Sequence, residues 1–237
     1  MNGDGVVHLV GAGPGDPLLL TRRAVRLLGE ADVVVADRHS SDAVVALARP
    51  RAERCYVGRT PEGDAWPLHR VVDMLEAHAA AGRTVVRLKG GDVYVCSRGA
   101  EEAAALTARG VRVEATPGVT SATAAPLAAG VVPAVGARIT IASGADDPGA
   151  APVAWEELAD PGSTLVVLTG RAHQRVIAQR LSAAGASGAT PVAVVHAAGR
   201  PGTHVVATDL AGMGANRLPP PAAVVIGPMI GGGGAHP

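Results

Sequence analysis

The sequence predicts an α/β fold made of two α/β domains with a cleft between them, and three features support this prediction. Short runs rich in β-branched residues alternate with longer periodic stretches rich in Ala, Leu and Arg. Several short runs are apolar throughout, as is typical of strands that are buried on both faces of a sheet. The chain contains 31 Gly and 18 Pro, which fall between the apolar segments. The alternation predicts parallel strands joined by helical crossovers.

The predicted elements follow one another along the whole chain. The strongest internal boundary is Thr116-Pro117-Gly118, where the regular strand–helix pattern ends. We therefore predict domains at 1–117 and 118–230, followed by a flexible tail at 231–237. Strands are predicted at residues 6–10, 33–36, 54–57, 84–88, 111–115, 138–143, 164–168, 191–196, 204–208 and 222–226. Helices are predicted at residues 17–29, 42–48, 67–81, 99–109, 120–129 and 172–184.

The composition excludes several classes of function. The 237 residues carry 21 Lys and Arg against 21 Asp and Glu, whereas a non-specific nucleic-acid binder would need a basic excess. There is no Phe, and two Trp and two Tyr offer few platforms for stacking bases. Cys55 and Cys96 are too few for a disulfide framework, which fits a reducing compartment. With no signal-peptide pattern and no apolar run near the ~18 residues of a membrane span, we expect a cytoplasmic protein without membrane contact.

A first glycine turn, Val10-Gly11-Ala12-Gly13-Pro14-Gly15-Asp16, follows the first strand and opens the first helix. Asp16 suits the N-cap position and Pro17 the first helical position. A dinucleotide-binding turn has a third glycine where Asp16 stands, and a carboxylate there would repel a pyrophosphate. This disfavours NAD, although Asp37 lies about 20 residues further on, where a ribose-binding acid is expected. The pattern indicates a ligand without phosphates; the alternative is a purely structural turn.

A second glycine turn, Gly90-Gly91-Asp92, lies at the carboxyl end of the strand at 84–88. Ligands of open α/β sheets bind outside these strand ends, and adjacent glycines let backbone amides approach a ligand closely. Asp92 is a candidate acceptor for an ammonium group or a ribose; the alternative is a structural Asx turn. Arg87 and Lys89 alternate along the same strand, and each is a candidate partner for a neighbouring acid.

These turns and several further segments together resemble the tetrapyrrole methyltransferases, and most closely their uroporphyrinogen-III C-methyltransferase branch. The motifs occur in the family's order and spacing over about the first half of the chain, and the second half matches more loosely. The most specific are Gly-Pro-Gly-Asp at 13–16 and Leu-Lys-Gly-Gly-Asp at 88–92. The matching segments of the first half are residues 10–16, 33–38, 56–58, 86–92, 97–102 and 116–122.

The resemblance implies an enzyme that binds S-adenosylmethionine between two α/β domains, releases S-adenosylhomocysteine and acts as a homodimer. Its substrate would be the tetrapyrrole uroporphyrinogen III, methylated at two ring carbons to give precorrin-2 for sirohaem or cobalamin synthesis. Asp37 falls on the family's proton-accepting carboxylate, and Arg59 falls where the family has a proton-donating Lys. The cofactor positions carried over by the resemblance are Pro14, Gly90, Gly91, Asp92, Val95, Thr120, Ser121, Thr169 and Ala198.

The sequence departs from the family at several positions. Arg59 stays charged near neutral pH and cannot donate a proton, so its role is limited to electrostatics. Thr169 and Ala198 stand where the family more often has Met and Gly. Residues 132–136 lack the side chains of the family's Thr-His-Arg motif, and residues 93–96 replace an apolar aromatic pair. We therefore predict that the donor site is retained and that the acceptor pocket is altered.

Arginines are the candidate ligands for an acceptor with many carboxylates, because guanidinium groups bind carboxylates through charge-assisted hydrogen bonds. Arg38, Arg59 and Arg98 lie in predicted loops that face the cleft; the alternative is that they are solvated surface residues. His39, beside Asp37, is a candidate acid–base partner or a plain loop residue. The eight histidines show no metal-ligand spacing, so no metal site is predicted.

Four functions are compatible with the sequence. The leading one is methylation of uroporphyrinogen III. The second keeps the methyl donor but changes the acceptor to another corrinoid precursor or a peptide amide, which the missing Thr-His-Arg motif favours. The third is a protein that binds S-adenosylmethionine without turnover, which Arg59 and Thr169 favour. A nucleotide-dependent oxidoreductase is the weakest, because of Asp16.

Overall fold

A computed structural model describes residues 5–37, 40–58, 66–133, 138–144, 154–168, 173–215 and 222–230. The chain divides into two compact units, Met1–Thr120 and Ser121–Pro237, shortly after the boundary predicted at 117. Each unit contains one five-stranded sheet together with helices, and the predicted α/β fold class is confirmed. The predicted tail at 231–237 lies outside the described residues.

The first unit is built on a parallel sheet, as the strand–helix alternation predicts. The order across the sheet places the fourth strand of the chain between the second and the first, and all neighbouring pairs are parallel. The carboxyl ends of these three strands therefore lie side by side at one edge. The strands are β1 (Val6–Gly11), β2 (Val33–Asp37), β3 (Glu53–Val57), β4 (Thr84–Lys89) and β5 (Arg112–Thr116), in the order β3-β2-β4-β1-β5.

Helices cover both faces of this sheet, which explains why most residues of its central strands are apolar and buried. Successive strand residues point to opposite faces, so Val34 packs in one buried cluster and Val35 in the other. The first cluster includes Leu28, and the second includes Leu75 and Leu106. The helices are α1 (Arg22–Glu30), α2 (Asp42–Val45), α3 (Leu68–Ala80) and α4 (Gly99–Ala108).

The helix predicted at 17–29 is wrong at its first residues, because the α-helix begins later than predicted. Residues Pro17–Leu19 form a single 3-10 turn, and α1 begins only at Arg22. Asp16 caps the short turn, since its Oδ1 accepts a hydrogen bond from the Leu18 amide at 2.8 Å. Thr21 then caps α1 through a bond from the Ala24 amide to its hydroxyl at 3.2 Å. The capping residue Thr21 thus divides the segment that hydrophobic periodicity predicted as a single helix.

The second unit departs from the predicted parallel arrangement. Its sheet has one parallel pair, and the other neighbouring pairs are antiparallel. For β9 and β10 the reason is the connection at residues 197–203, which is too short for the crossover of a dozen or more residues that parallel neighbours need. The elements are α5 (Ser121–Ala128), β6 (Val132–Pro133), β7 (Arg138–Ser143), α6 (Trp155–Leu158), β8 (Ser163–Leu168), α7 (Gln174–Ala183), β9 (Pro191–His196), β10 (His204–Asp209), β11 (Ala222–Ile226) and β12 (Met229–Ile230), with the sheet order β10-β9-β11-β8-β7.

Four short elements among the described residues of the second unit were not predicted: β6, β12, α6 and a 3-10 turn at Met213–Ala215. β6 and β12 form a two-residue antiparallel ladder, and α6 is a single helical turn. Segments of this length contain too few residues to show a hydrophobic period. Within the described part of the chain, no helix has the length and apolar character needed to cross a membrane.

Candidate active site

The site begins at the sheet edge where β1, β2 and β4 end. Asp37 is the last residue of β2, and Lys89 ends β4 directly before Gly90. The first glycine turn leaves the end of β1 at Gly11. Because β4 lies between β2 and β1, the fold places both glycine turns and the Asp37 carboxylate along the same edge. This edge is where open α/β sheets bind their ligands.

The two glycine turns are joined by backbone hydrogen bonds. The Gly13 amide donates to the Gly91 carbonyl at 3.1 Å, and the Gly91 amide donates to the Gly13 carbonyl at 2.8 Å. The Ala12 amide donates to the Lys89 carbonyl at 2.7 Å. Gly13 and Gly91 have φ values of +63° and +70°, in a region that residues with a side chain rarely adopt. The two glycine turns therefore form a single hydrogen-bonded unit.

A third backbone segment packs against these turns without any side chain between them. A Cβ atom on Gly11 would lie 2.5 Å from the Gly118 nitrogen and 2.8 Å from the Gly91 oxygen. A Cβ atom on Gly118 would lie 2.8 Å from the Gly11 Cα and closer still to the Gly91 oxygen. We call Gly11, Gly13, Gly91 and Gly118 the glycine joint. Its four glycines are required by direct backbone contact or by positive φ.

The Asp92 carboxylate holds the loop that follows the second glycine turn. Its Oδ1 accepts hydrogen bonds from the amides of Tyr94 at 2.9 Å and Val95 at 3.3 Å. Its Oδ2 accepts a hydrogen bond from the Gly118 amide at 3.0 Å. The structural Asx turn considered for Asp92 is thus present, and the side chain also ties the glycine joint to the loop. Three of its acceptor positions are taken by backbone amides.

Gly90 differs from the glycines of the joint. A Cβ atom on Gly90 would have no heavy atom within 4 Å, and its φ lies outside the left-handed region. The residue is exposed at the carboxyl end of β4. The space above Gly90 is thus open to a ligand that contacts backbone.

At the neighbouring turn the Asp16 carboxylate caps the amide of Leu18, so a pyrophosphate there would meet a negative charge. These residues fit a nucleoside ligand without phosphates.

Asp37 belongs to a group of four charged side chains that sequence analysis did not assemble. Its Oδ1 accepts a hydrogen bond from Nη2 of Arg87 at 2.6 Å. Arg87 also donates to both carboxylate oxygens of Glu102 at 3.0 Å, and Lys89 donates to Glu102 Oε1 at 2.8 Å. We call Asp37, Arg87, Lys89 and Glu102 the charge cluster. The sequence signal was the alternation of Arg87 and Lys89, which places both cations on one face of β4.

The charge cluster determines the ionisation of Asp37. Burial raises the pKa of Asp37, but the charges of Arg87 and Lys89, the bond from Arg87 and a bond from the Gly90 amide outweigh it. The pKa of this carboxyl therefore lies below its usual value, and Asp37 is ionised at neutral pH. The resulting stabilisation is present above the unfolded pKa of about 3.9 and is lost as the pH falls through the folded value.

The other predicted site residues of the first unit lie around this edge. Pro14 is buried in the first glycine turn, and Val95 is half-buried in the loop that Asp92 holds. Arg98 is exposed at the N-cap of α4, and its side chain forms no ion pair with any described residue. Thr120 is half-buried at the end of the unit. Arg38, His39 and Arg59 lie outside the described residues.

Two predicted cofactor positions lie in the second unit. Ser121 is the first residue of α5, and Ala198 is half-buried two residues after the end of β9. The residue before Ala198, Ala197, has φ +51°, which is strained for a residue with a side chain. Such strain is typical of ligand-binding segments. Thr169 lies outside the described residues.

One group with metal-ligand chemistry was also missed by the sequence analysis. Ligand atoms of Glu53, Cys55 and His78 lie within 4.8 Å of one another on the first unit. Arg83 Nη1 donates to Glu53 Oε2 at 2.7 Å and lies 3.0 Å from His78 Nδ1. The guanidinium already supplies a positive charge to two of the three groups. The arrangement is therefore explained as an ion-paired surface cluster.

A doubly wound parallel sheet with two glycine turns and an ionised carboxylate at its carboxyl edge defines a class of α/β proteins that bind a small ligand at that edge. A family model described as Tetrapyrrole (Corrin/Porphyrin) Methylases matches residues 6–213. The chain belongs to this family, and the resemblance noted from the sequence motifs is confirmed.

Relatives and solved structures agree with this assignment. A siroheme synthase of Azotobacter vinelandii is 38% identical over 234 residues, which cover 95% of this chain and 50% of the relative. A siroheme synthase of Pseudomonas aeruginosa is 40% identical over 195 residues, covering 81% of this chain and 42% of the relative. The chain thus spans about half the length of the curated relatives it matches.

Among solved structures, a uroporphyrin-III C-methyl transferase of Thermus thermophilus complexed with S-adenyl homocysteine has a TM-score of 0.80 and 39% identity. The match covers 94% of this chain and 92% of that one. A cobalt precorrin-4 methyltransferase has a TM-score of 0.79 and 27% identity, with 94% of both chains covered. The likeness extends over both units of the chain.

Proposed function

We propose that this protein methylates uroporphyrinogen III, using S-adenosylmethionine as the methyl donor, to give precorrin-2. The observation that carries the proposal is the glycine joint beside the ionised Asp37, in a chain of the tetrapyrrole methylase family. The Thermus relative bound to S-adenyl homocysteine supports the choice of donor. Because the siroheme synthases are about twice as long as the segment they share with this chain, the proposal covers the methylation alone.

The donor supplies an electrophilic methyl group on a sulfonium sulfur. The glycine joint and Gly90 bind it through backbone groups, and the loop held by Asp92 closes the same edge. Exclusion of water and alignment of donor and acceptor contribute about 7–11 kcal/mol to lowering such barriers. Residues Ser121 and Ala198 are the proposed donor contacts of the second unit; Thr120 is a further one in the first.

Asp37 is the proposed proton acceptor. When a ring carbon of the tetrapyrrole gains a methyl group, the product must lose a proton to restore a neutral conjugated system. Asp37 is ionised and its side chain is 33% exposed, so a proton can reach the carboxylate while Arg87 and the Gly90 amide hold it. Arg98, exposed at the start of α4, is a proposed ligand for the carboxylates of the acceptor, together with Arg38 and Arg59.

We further propose that the protein acts as a homodimer in the cytoplasm, as the family resemblance implies. Sedimentation should give a mass of about twice the 23.6 kDa of one chain. A single-chain mass at micromolar concentration would contradict the homodimer.

The direct test is incubation of the protein with uroporphyrinogen III and S-adenosylmethionine under anaerobic conditions. We expect an absorbance change from the dimethylated product and a mass increase of two methyl groups. The control replaces S-adenosylmethionine by S-adenosylhomocysteine, which has no methyl group to transfer. Tight binding of S-adenosylhomocysteine without any methylated product would reject uroporphyrinogen III as the acceptor.

A second candidate keeps the donor and changes the acceptor to another corrinoid precursor or a peptide amide. It is favoured by residues 132–136, which read Val-Pro-Ala-Val-Gly where the family motif carries Thr, His and Arg. Transfer of a radiolabelled methyl group to later corrinoid precursors, in the absence of transfer to uroporphyrinogen III, would support this candidate.

Replacing Gly90 by alanine tests whether the donor lies above this residue. We expect the free energy of unfolding to change by less than about 1 kcal/mol, because the new Cβ meets no protein atom and φ permits it. We expect the dissociation constant for S-adenosylhomocysteine to rise at least about 10-fold, since the methyl group occupies ligand space. Denaturant unfolding and calorimetric titration measure the two effects. Unchanged affinity would place the donor elsewhere.

A further inference from the structure

Three of the four side chains in the charge cluster are buried far more deeply than the other arginine ion pairs described in the first unit. The side chains of Arg87, Lys89 and Glu102 are 3–5% exposed, whereas Asp37 is 33% exposed. The cluster contains two positive and two negative groups, so its charges balance. Three members are thus enclosed in protein, and the fourth reaches the edge where the ligand binds.

Arg87 is held in a single orientation by its own hydrogen bonds. An arginine has five N–H donors in a fixed plane. In Arg87, Nε and Nη2 donate to Glu102, Nη2 also donates to Asp37, and Nη1 donates to the carbonyls of Val35 and Leu88 at 3.4 and 3.1 Å. Every N–H group therefore has an acceptor. The guanidinium is fixed to β2, to β4 and to α4 at once.

Glu102 supplies the anchor for both cations. It lies in the first turn of α4, where the helix dipole favours a carboxylate. Its two oxygens receive the Arg87 fork, and Oε1 also accepts the bond from Lys89. The helix that follows the second glycine turn is therefore connected through two side chains to the carboxylate at the end of β2.

We infer that Arg87 and Glu102 are positioning residues for Asp37: Glu102 orients Arg87, and Arg87 fixes the Asp37 carboxylate at the site edge in its ionised form. The inference rests on the proposed role of Asp37 as proton acceptor. Among the described residues, the charged groups that face Asp37 are Arg87 and Lys89 of β4, with Glu102 of α4 behind them. If the cluster served folding alone, a change in the pKa of Asp37 would not change turnover.

The Arg87→Met variant removes the guanidinium and keeps a long side chain in the buried position. Glu102 retains Lys89, so no buried carboxylate is left without a cation. An opposite charge in contact lowers an aspartate pKa by about 1–3 units. Loss of Arg87 removes the strongest of the groups that oppose burial, while the Lys89 charge and the Gly90 amide remain, so the pKa of Asp37 should rise within that range. Carbon-13 NMR of labelled aspartate carboxyls measures this directly, with the Asp37 signal assigned from the Asp37→Asn variant.

The same variant should shift turnover in a defined way. The acid limb of the kcat profile should move to higher pH together with the Asp37 titration, while KM for the methyl donor stays within about two-fold. Combining Arg87→Met with Asp37→Asn should lower kcat no further than Asp37→Asn alone, because Arg87 acts through Asp37. An additive loss would contradict a positioning role.

Two further variants keep the inference open to contradiction. Arg87→Lys retains the charge but not the planar fork. The pKa of Asp37 should therefore stay near that of the wild type, while kcat falls at all pH values. This variant replaces Arg87→Met as the test if Arg87→Met does not fold. Arg109→Met is the matched control, because Arg109 pairs with Asp73 and Glu76 away from the cluster. It should change neither measurement.

The NMR titration requires no substrate and therefore separates two failures. If the wild type does not methylate uroporphyrinogen III, the proposed acceptor fails, while a raised Asp37 pKa in Arg87→Met still supports the positioning role. If the Asp37 titrations of Arg87→Met and the wild type superimpose, the positioning role is rejected whatever the activity.

Discussion

Replacing Asp37 by asparagine should lower kcat for methyl transfer by about 100-fold or more, the range expected for loss of a general base. Asparagine has nearly the same shape and can still accept the hydrogen bond that Arg87 Nη2 donates at 2.6 Å. It cannot take up a proton. The dissociation constant for S-adenosylhomocysteine should stay within about two-fold, because the glycine joint, the proposed donor site, is untouched. Steady-state assays and calorimetric titration measure the two quantities.

Asp32→Asn is the matched control for this experiment. Asp32 directly precedes β2, so it lies at the opposite end of the strand that carries Asp37. The Thr84 amide, and after it Arg49, bind its carboxylate and lower its pKa, and the residue lies away from the site edge. Its variant should keep kcat within about two-fold. A kcat for Asp37→Asn within about three-fold of the wild type would exclude Asp37 as the base.

Replacing Gly118 by alanine should both destabilise the first unit and weaken donor binding. The added Cβ would lie 2.8 Å from the Gly11 Cα and closer still to the Gly91 oxygen. These neighbours are backbone atoms, so they cannot yield as the end of a side chain would. We expect a loss of about 3 kcal/mol in the free energy of unfolding, at the upper end for overpacking. Because the joint must open, affinity for S-adenosylhomocysteine should fall more than 10-fold.

Gly29→Ala provides the comparison for Gly118→Ala. Gly29 lies in α1, and a Cβ there would have no heavy atom within 4 Å. Alanine should stabilise the helix by about 0.5–1 kcal/mol relative to glycine and leave donor affinity unchanged. Denaturant unfolding of both variants measures the contrast. Equal stability of Gly118→Ala and the wild type would mean that the three segments do not touch as described.

The first unit was predictable from its sequence to a large extent. Apolar strands alternating with helices require a parallel sheet with covered faces, and parallel strands bring their carboxyl ends to one edge. The order of the strands was not predictable, because periodicity does not say which strands are neighbours. It is the position of β4 between β2 and β1 that joins Gly91 to Gly13. In the second unit, most neighbouring strands are antiparallel although their composition is similar, because the alternation of side chains along a strand is the same in parallel and antiparallel sheets.

The site was predictable in its motifs but not in its interactions. The glycine turns and Asp37 were identified by their pattern and by family resemblance. The partner of Arg87 and Lys89 was not, because Glu102 lies on a helix that only the folded chain brings beneath β4. The role of Asp92 could not be decided from the sequence either, because a ligand-binding acceptor and a structural Asx turn both call for an aspartate at this position. The structure shows its oxygens bound to the amides of Tyr94, Val95 and Gly118.

The most direct measurement is calorimetric titration of the purified protein with S-adenosylhomocysteine, with NAD as the comparison ligand. Saturable binding of S-adenosylhomocysteine that is retained in Asp37→Asn and weakened in Gly90→Ala is the predicted result, together with no detectable binding of NAD. Saturable binding of NAD, or the absence of any heat with S-adenosylhomocysteine, would contradict a donor site built on the two glycine turns.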